Sequence, residues 1–266
     1  MVIQHKELHL WYTNVRTLTP YEAENILPLL SDTERNRYGK LPDAGRRNEF
    51  LITRHLVRTV LSSHLSRKPA DLCFDNNQFG KPSLSPSCGL EFNISNTCQL
   101  AVCLVSFSGP VGVDIEQWSR AADVMEVMDR CFSQKEIQKL FSLPPALRPE
   151  RALSLWTLKE AYLKAIGIGL AEGLNNVEFL YDSTGKPRLQ VDPRIDAQTN
   201  RWHFCVTDIM SHKIALMAPF LFRKRIRIFE AKPCPHGQPN VWNILRYEAP
   251  ANLIVKGNIH ESAAIL

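Results

Sequence analysis

Val111-Gly112-Val113-Asp114-Ile115-Glu116 alternates apolar β-branched residues with a glycine and two acids. A strand sends successive side chains to opposite faces, so Val113 and Ile115 share one face while Asp114 and Glu116 share the other. Two carboxylates side by side repel each other unless a cation or a proton lies between them. A second stretch, Trp156-Thr157-Leu158-Lys159-Glu160-Ala161-Tyr162-Leu163-Lys164-Ala165, reads as a helix that is apolar on most sides, and Glu160 is its one acid. At this level two explanations stand side by side. The strand acids can lie on a solvated face, with Glu160 pairing to Lys164 one turn on for a few tenths of a kcal/mol. Alternatively, two acids from a strand and one from a helix converge on a divalent metal.

Before the strand, a short extended segment (His9 to Tyr12) leads to a helix begun at Thr19-Pro20, with proline at a favoured first-turn position. Ser31-Asp32-Thr33-Glu34 predicts a capping box that opens a basic segment carrying Arg35, Arg37, Lys40, Arg46 and Arg47, either a solvated face or an anion site. From Phe50 to Leu65 the apolar residues recur with helical period, with Arg54 and Arg58 one turn apart. A turn at Phe79-Gly80-Lys81-Pro82 precedes two strands, Leu90 to Ile94 and Leu100 to Val105.

After Glu116 the order begins again. A helical region (Ala121 to Phe141) carries Ser133 and Glu136 at capping-box spacing. A loop with Pro144, Pro145 and Pro149 leads into a helix from about Arg151 to Ile166, and Gly185-Lys186-Pro187 precedes strands near Trp202–Thr207 and Lys213–Met217. The two Gly-Lys-Pro tripeptides lie 105 residues apart, and the same offset lays Leu51 on Trp156, Arg54 on Lys159 and Val57 on Tyr162. We expect an α+β fold of two lobes related by a pseudo-two-fold axis: 1–110, 111–218 with the metal ligands, and a C-terminal extension, 219–266, of unknown role. In the extension, Phe222 to Phe229 reads as a basic edge strand followed by a loosely packed tail. A cleft between the lobes is where a ligand is expected.

No run of eighteen apolar residues occurs, so no membrane span is expected, and the first residues lack the apolar core of a signal peptide. The seven cysteines, at 73, 88, 98, 103, 131, 205 and 234, form no C-x-x-C pair, which fits reduced thiols in the cytoplasm. A net charge of +5 favours an anionic partner without selecting one.

Gly112-Val113-Asp114-Ile115-Glu116, Phe132-Ser133-x-x-Glu136 and Trp156-x-x-Lys159-Glu160-x-x-x-Lys164 together resemble the 4′-phosphopantetheinyl transferases, specifically their surfactin-type, pseudo-dimeric subclass. Phe79-Gly80-Lys81-Pro82 and Phe92-Asn93-Ile94-Ser95 match further blocks in the same order, so the resemblance runs from about Ser31 to Met217. It implies a transferase that moves the phosphopantetheine arm of coenzyme A to a serine of an acyl or peptidyl carrier protein and releases 3′,5′-ADP. By the same resemblance Asp114, Glu116 and Glu160 hold Mg2+ against the coenzyme A pyrophosphate, and Lys164 contacts the phosphates. Lys81, Pro82, Ser95 and Asn96 line the adenosine and 3′-phosphate pocket, with Arg46 or Arg47 assisting. Glu160 or Glu136 takes the proton of the carrier serine. Where many members carry histidine after the serine of the Asn-x-Ser block, this chain has Asn96, which adds no charge. A cytoplasmic monomer is expected, with coenzyme A and an apo carrier protein as partners and neither nucleic acid nor membrane. A catalytically silent coenzyme A or carrier scaffold and a metal-dependent nuclease are the alternatives. The first has no need of a carboxylate cluster, and the second needs a broad basic groove with stacking aromatics.

Overall fold

The structure is a computed structural model that describes residues 3–169, 174–182, 185–220, 226–233 and 242–247. In chain order the first lobe comprises β1 (Leu8–Asn14), α1 (Pro20–Ile26), α2 (Asp32–Gly39), α3 (Ala44–Leu65), the hairpin β2 (Cys73–Asn76) and β3 (Pro82–Ser85), β4 (Glu91–Asn96) and β5 (Leu100–Ser106). The second comprises β6 (Gly112–Gln117), α4 (Ala121–Cys131), α5 (Gln134–Phe141), α6 (Arg148–Ile166), the hairpin β7 (Val177–Tyr181) and β8 (Pro187–Val191), β9 (His203–Ile209) and β10 (His212–Ala218). The sequence of elements is the same twice over. Strand pairing repeats as well: β1-β5-β4 in one sheet corresponds to β6-β10-β9 in the other.

Alternation in the strands dictates how these sheets stack. Leu100, Val102 and Leu104 of β5 meet Val113 and Ile115 of β6 and Ile214 and Leu216 of β10 in a core shared by both sheets. The opposite face of β5, Ala101, Cys103 and Val105, packs on Leu56, Val57, Val60 and Leu61 of α3. The opposite face of the second sheet, including Ala215 and Met217, packs on Leu155, Leu158 and Tyr162 of α6. The resulting order of layers is helix, sheet, sheet, helix. Removing this much apolar surface from water is what holds the lobes together, at roughly 25 cal/mol per Å².

Ser31 and Ser133 form the reciprocal capping boxes that the sequence predicts, each with the glutamate three residues on, and Thr19 forms a third with Glu22. Pro149 does not belong to the preceding loop: it sits in the first turn of α6, where a missing N–H costs nothing. Gly167 closes α6 in the left-handed region at φ 76°.

The extension departs from its expected form. The described part of 219–266 contains β11 (Ile226–Pro233) and β12 (Trp242–Tyr247). β11 pairs parallel to β1 and antiparallel to β12, so it is an interior strand of a five-stranded sheet, not an edge. Ile226, Ile228, Phe229 and Ala231 are buried there, and Phe229 stacks on Trp11 at 4.5 Å between ring centroids. An open β1 edge presents unpaired backbone groups, and the extension satisfies them. Phe222 to Arg225 and Cys234 lie outside the described residues.

Candidate active site

Gly112 determines how closely β6 can approach α6. A Cβ at this position would fall on the carbonyl oxygen of Ala161 and lie 2.7 Å from the Ala165 nitrogen and 2.8 Å from its Cβ. With no side chain at 112, the next residues on the same face, Asp114 and Glu116, are carried against the helix instead of into water. They are only 2% and 6% exposed. The solvated-face explanation of the acid pair therefore does not hold.

β6 is the outer strand of its sheet, and its backbone is met by side chains of β4 across the lobe boundary. Asn93 Oδ1 accepts from the Val113 N–H at 2.9 Å, and Ser95 Oγ accepts from the Ile115 N–H at 3.3 Å. Ser95 also donates to Asp114 Oδ1 at 3.0 Å. The Lys164 ammonium lies 2.6 Å from the same Asp114 oxygen, 3.0 Å from Ser95 Oγ and 3.8 Å from Glu160 Oε2. One cation thus stands between the strand acid and the helix acid. Asp114 Oδ2 is buried without a hydrogen-bond partner. Glu116 accepts from Trp156 Nε1 at 2.9 Å and from Arg120 at 2.8 Å.

The electrostatics follow from this crowding. Burial, then the Asp114 charge, raises the Glu116 carboxyl against the opposing pull of Arg120. Burial, followed by Asp114 and with Glu116 adding to it, pushes Glu160 up to about 8 despite Lys164. For Lys164 burial acts downward, but Asp114 and Glu160 outweigh it and the ammonium is held above its usual range. Such a cluster is short of positive charge. Its donors are carboxylate oxygens alone, and with one buried oxygen unpartnered they suit a hard divalent cation. Among the described residues, no three His, Cys, Asp or Glu side chains form a ready-made metal cage.

Glu136 is placed elsewhere. Both it and Lys159 have fully buried side chains, 2.6 Å apart, and Glu136 also accepts from the backbone N–H groups of Ser133 and Phe179. Its carboxylate joins α5, α6 and β7. Every contact it makes is internal, and it does not meet Asp114, Glu116 or Glu160.

Of the residues expected around the nucleotide, four line two separate pockets. Arg46 and Asn96 line a cleft of about 770 Å³ together with Arg16, Arg37, Glu49 and Arg54. Lys81 and Pro82 line a separate pocket of about 460 Å³ at the lobe seam, with Gly167, Asp196 and Trp202. The Lys81 ammonium donates to the Ala165 carbonyl at 2.8 Å, where a cation complements the C-terminal end of α6. Arg47 donates instead to the Leu41 carbonyl at 3.1 Å. Sequence reasoning did not assign Arg16, Arg54 and Glu49 to the cleft or Trp156 and Arg120 to Glu116. For Arg54 a signal was present, since it lies one helical turn from Arg58 and shares its face.

Comparison with known proteins bears on the same segments. The family model described as the 4′-phosphopantetheinyl transferase superfamily matches residues 110–217. The 4′-phosphopantetheinyl transferase HetI of Nostoc sp. (strain PCC 7120) is 31% identical over 190 residues, covering 70% of this chain and 79% of that protein. Sfp of Bacillus subtilis (strain 168), also a 4′-phosphopantetheinyl transferase, is 25% identical over 176 residues, covering 66% of this chain and 77% of its own. Among solved structures, a holo-(acyl-carrier-protein) synthase from Bacillus anthracis str. Ames is 22% identical with a TM-score of 0.35, covering 41% of this chain and 92% of that chain.

Proposed function

Because the chain belongs to the 4′-phosphopantetheinyl transferase family, we propose that Asp114, Glu116 and Glu160 are its Mg2+ ligands and that Lys164 and Glu160 serve the transfer step. The enzyme moves the 4′-phosphopantetheine arm of coenzyme A to a serine of a carrier protein and releases 3′,5′-ADP. The observation that carries the assignment is the shared ammonium: Lys164 reaches both Asp114 and Glu160 at the seam where Gly112 lets strand and helix touch.

Transfer of a phosphoryl-linked group asks the protein mainly for positioning and charge stabilisation. A bound Mg2+ would supply charge neutralisation at the pyrophosphate. On this chain Lys164 offers a second positive charge and, on leaving its carboxylate partners, a donor to the departing nucleotide phosphate. Glu160, a carboxylate beside Lys164 at the seam, is the group proposed to take the carrier serine's proton, directly or through water. Glu136 accepts from Lys159, which supports the choice of Glu160 as the proposed base. Ser95 ties the first lobe to this site through Asp114 and Lys164. Trp156 and Arg120 fix the orientation of Glu116.

Both lobes contribute to the site, with division at 110/111, so one chain suffices and the enzyme acts as a monomer. Among the described residues all six cysteines are free and no helix is long and apolar enough to cross a membrane; work in the cytoplasm is part of the proposal. The test is intact mass. With coenzyme A and Mg2+, an apo carrier should gain about 340 Da, the mass of the arm as a covalent modification. Chelation of the metal should stop the gain. Asp114→Asn should slow it by about two to three orders of magnitude. No gain on any of a panel of acyl and peptidyl carriers, with coenzyme A intact, would sink the proposal.

A further inference from the structure

The 770 Å³ cleft is an arginine-lined space with two carboxylates, Asp43 and Glu49, in its lining. Arg54 is largely buried, its Nε has no hydrogen-bond partner, and its nearest acid, Glu34, stands 3.8 Å away. Arg37 and Arg54 both lie over the ring of Phe50, at 5.7 and 5.2 Å from its centroid, which fixes two guanidinium groups in one wall. Arg46 is only loosely held by Asp43, at 3.6 Å. Arg16 is held by Glu22, but Arg37, Arg46 and Arg54 together offer more cation than their pairing uses, which suits an anion with several oxygen acceptors, such as a phosphate monoester.

Glu49 works against that preference. It projects from α3 into the same cleft, and its Oε1 accepts a hydrogen bond from the side-chain amide of Asn96. Asn96 follows Ser95, which contacts Asp114 and Lys164, so the cleft begins one residue from the acid cluster. A nucleotide with its pyrophosphate at Lys164 would extend its next phosphate toward Asn96 and the arginines. Asn96 can give that phosphate an N–H, but only if Glu49 releases it.

We propose that Glu49 is a specificity-determining residue, an internal competitor that the 3′-phosphate of the co-substrate must displace from Asn96 and the arginine wall. The proposal rests on the transferase assignment above. It makes the chain bind a 3′-phosphorylated nucleotide less tightly than its arginines would allow, and it narrows the preference for that nucleotide over one lacking the phosphate.

Titration calorimetry of the full chain with 3′,5′-ADP and with 5′-AMP distinguishes the two ideas. Glu49→Gln, a change on a half-buried helix face, keeps the shape and removes the charge. It should tighten 3′,5′-ADP by about three- to tenfold, tenfold being about 1.4 kcal/mol. Binding of 5′-AMP should change less than twofold. If 3′,5′-ADP binds the variant no more tightly, or more weakly, Glu49 is a bystander or a direct ligand and the proposal is overturned. An equal gain for both nucleotides would overturn it too, since the competition would not concern the 3′-phosphate. If the unaltered chain binds neither nucleotide, the transferase assignment fails, and the role of Glu49 fails with it.

Discussion

Replacing Gly112 with alanine tests whether the approach of β6 to α6 builds the site. The added Cβ would meet backbone, the Ala161 carbonyl and the Ala165 nitrogen, as well as the Ala165 Cβ. None of these can rotate aside as a long side chain would, so strand or helix must retreat by roughly 1 Å or more in an interior packed as densely as a crystal. Overpacking costs about 1–3 kcal/mol and occasionally more, and an obstacle made of backbone belongs at the upper end, about 3 kcal/mol. The same displacement carries Asp114 and Glu116 away from Glu160 and Lys164. A misplacement of about 1 Å can lower a rate by about a hundredfold. Urea unfolding and carrier-loading rates read the two effects separately. Gly39→Ala is the control, because a Cβ there meets nothing within 4 Å. It should be neutral or stabilise by up to about 1 kcal/mol. A Gly112→Ala chain that unfolds at the usual urea concentration and loads its carrier at full rate would refute the reasoning.

Three further outcomes are expected. Lys159→Met leaves Glu136 charged and buried without its partner, so unfolding free energy should drop by about 3–5 kcal/mol, while the double variant Lys159→Met/Glu136→Gln should lose clearly less; equal losses in the two would show that the pair is not coupled. Without Mg2+, stability should fall as pH rises. The folded pKa of Glu160 is raised to about 8 from 4.5, so the native state holds its proton where the unfolded state has released it. The stabilisation is complete below about pH 4.5 and lost through about pH 8, on the order of a few kcal/mol. Glu160→Gln should flatten that slope, and a slope unchanged by the variant would remove Glu160 as its source. Trp156→Phe deletes the indole donor to Glu116 and should weaken Mg2+ binding, measured by calorimetry, by about tenfold to a hundredfold; unchanged affinity would show that Glu116 needs no such support.

What the sequence discloses about this fold is the part written in local pattern. Alternation from Val111 to Glu116 gives a strand with two distinct faces, three serine or threonine caps place helix starts, and repetition of helix, turn and strands gives two lobes. The less legible features depend on distant partners. Glu136 sits at a capping-box position and does cap α5, but its commitment to Lys159 and to the Phe179 N–H involves α6 and β7. Nothing in residues 133–136 alone announces that. The extension reads as basic because of Arg223, Lys224, Arg225 and Arg227, and this masks Ile226, Ile228 and Phe229. Their burial is set by the open edge of β1, more than two hundred residues earlier, where Arg227 also finds Glu7.

The lobe boundary explains why the site needs both copies of the repeat. Each copy has an outer strand beside the other, yet β4 and β6 do not join into one sheet. Asn93 and Ser95 instead give side-chain oxygens to the β6 backbone. A backbone ladder would use those N–H groups just as well, but it would bring no hydroxyl to Asp114 and Lys164. The side-chain junction therefore does two jobs. It satisfies buried N–H groups that would each cost about 1–3 kcal/mol unpaired, and it places a polar first-lobe group against the second lobe's charges. Lys81 repeats the device in reverse, reaching from the first-lobe hairpin to the end of α6. The second lobe's acids are paired within that lobe, Asp114 with Lys164 and Glu116 with Arg120, and the first lobe adds the Ser95 hydroxyl to that pairing.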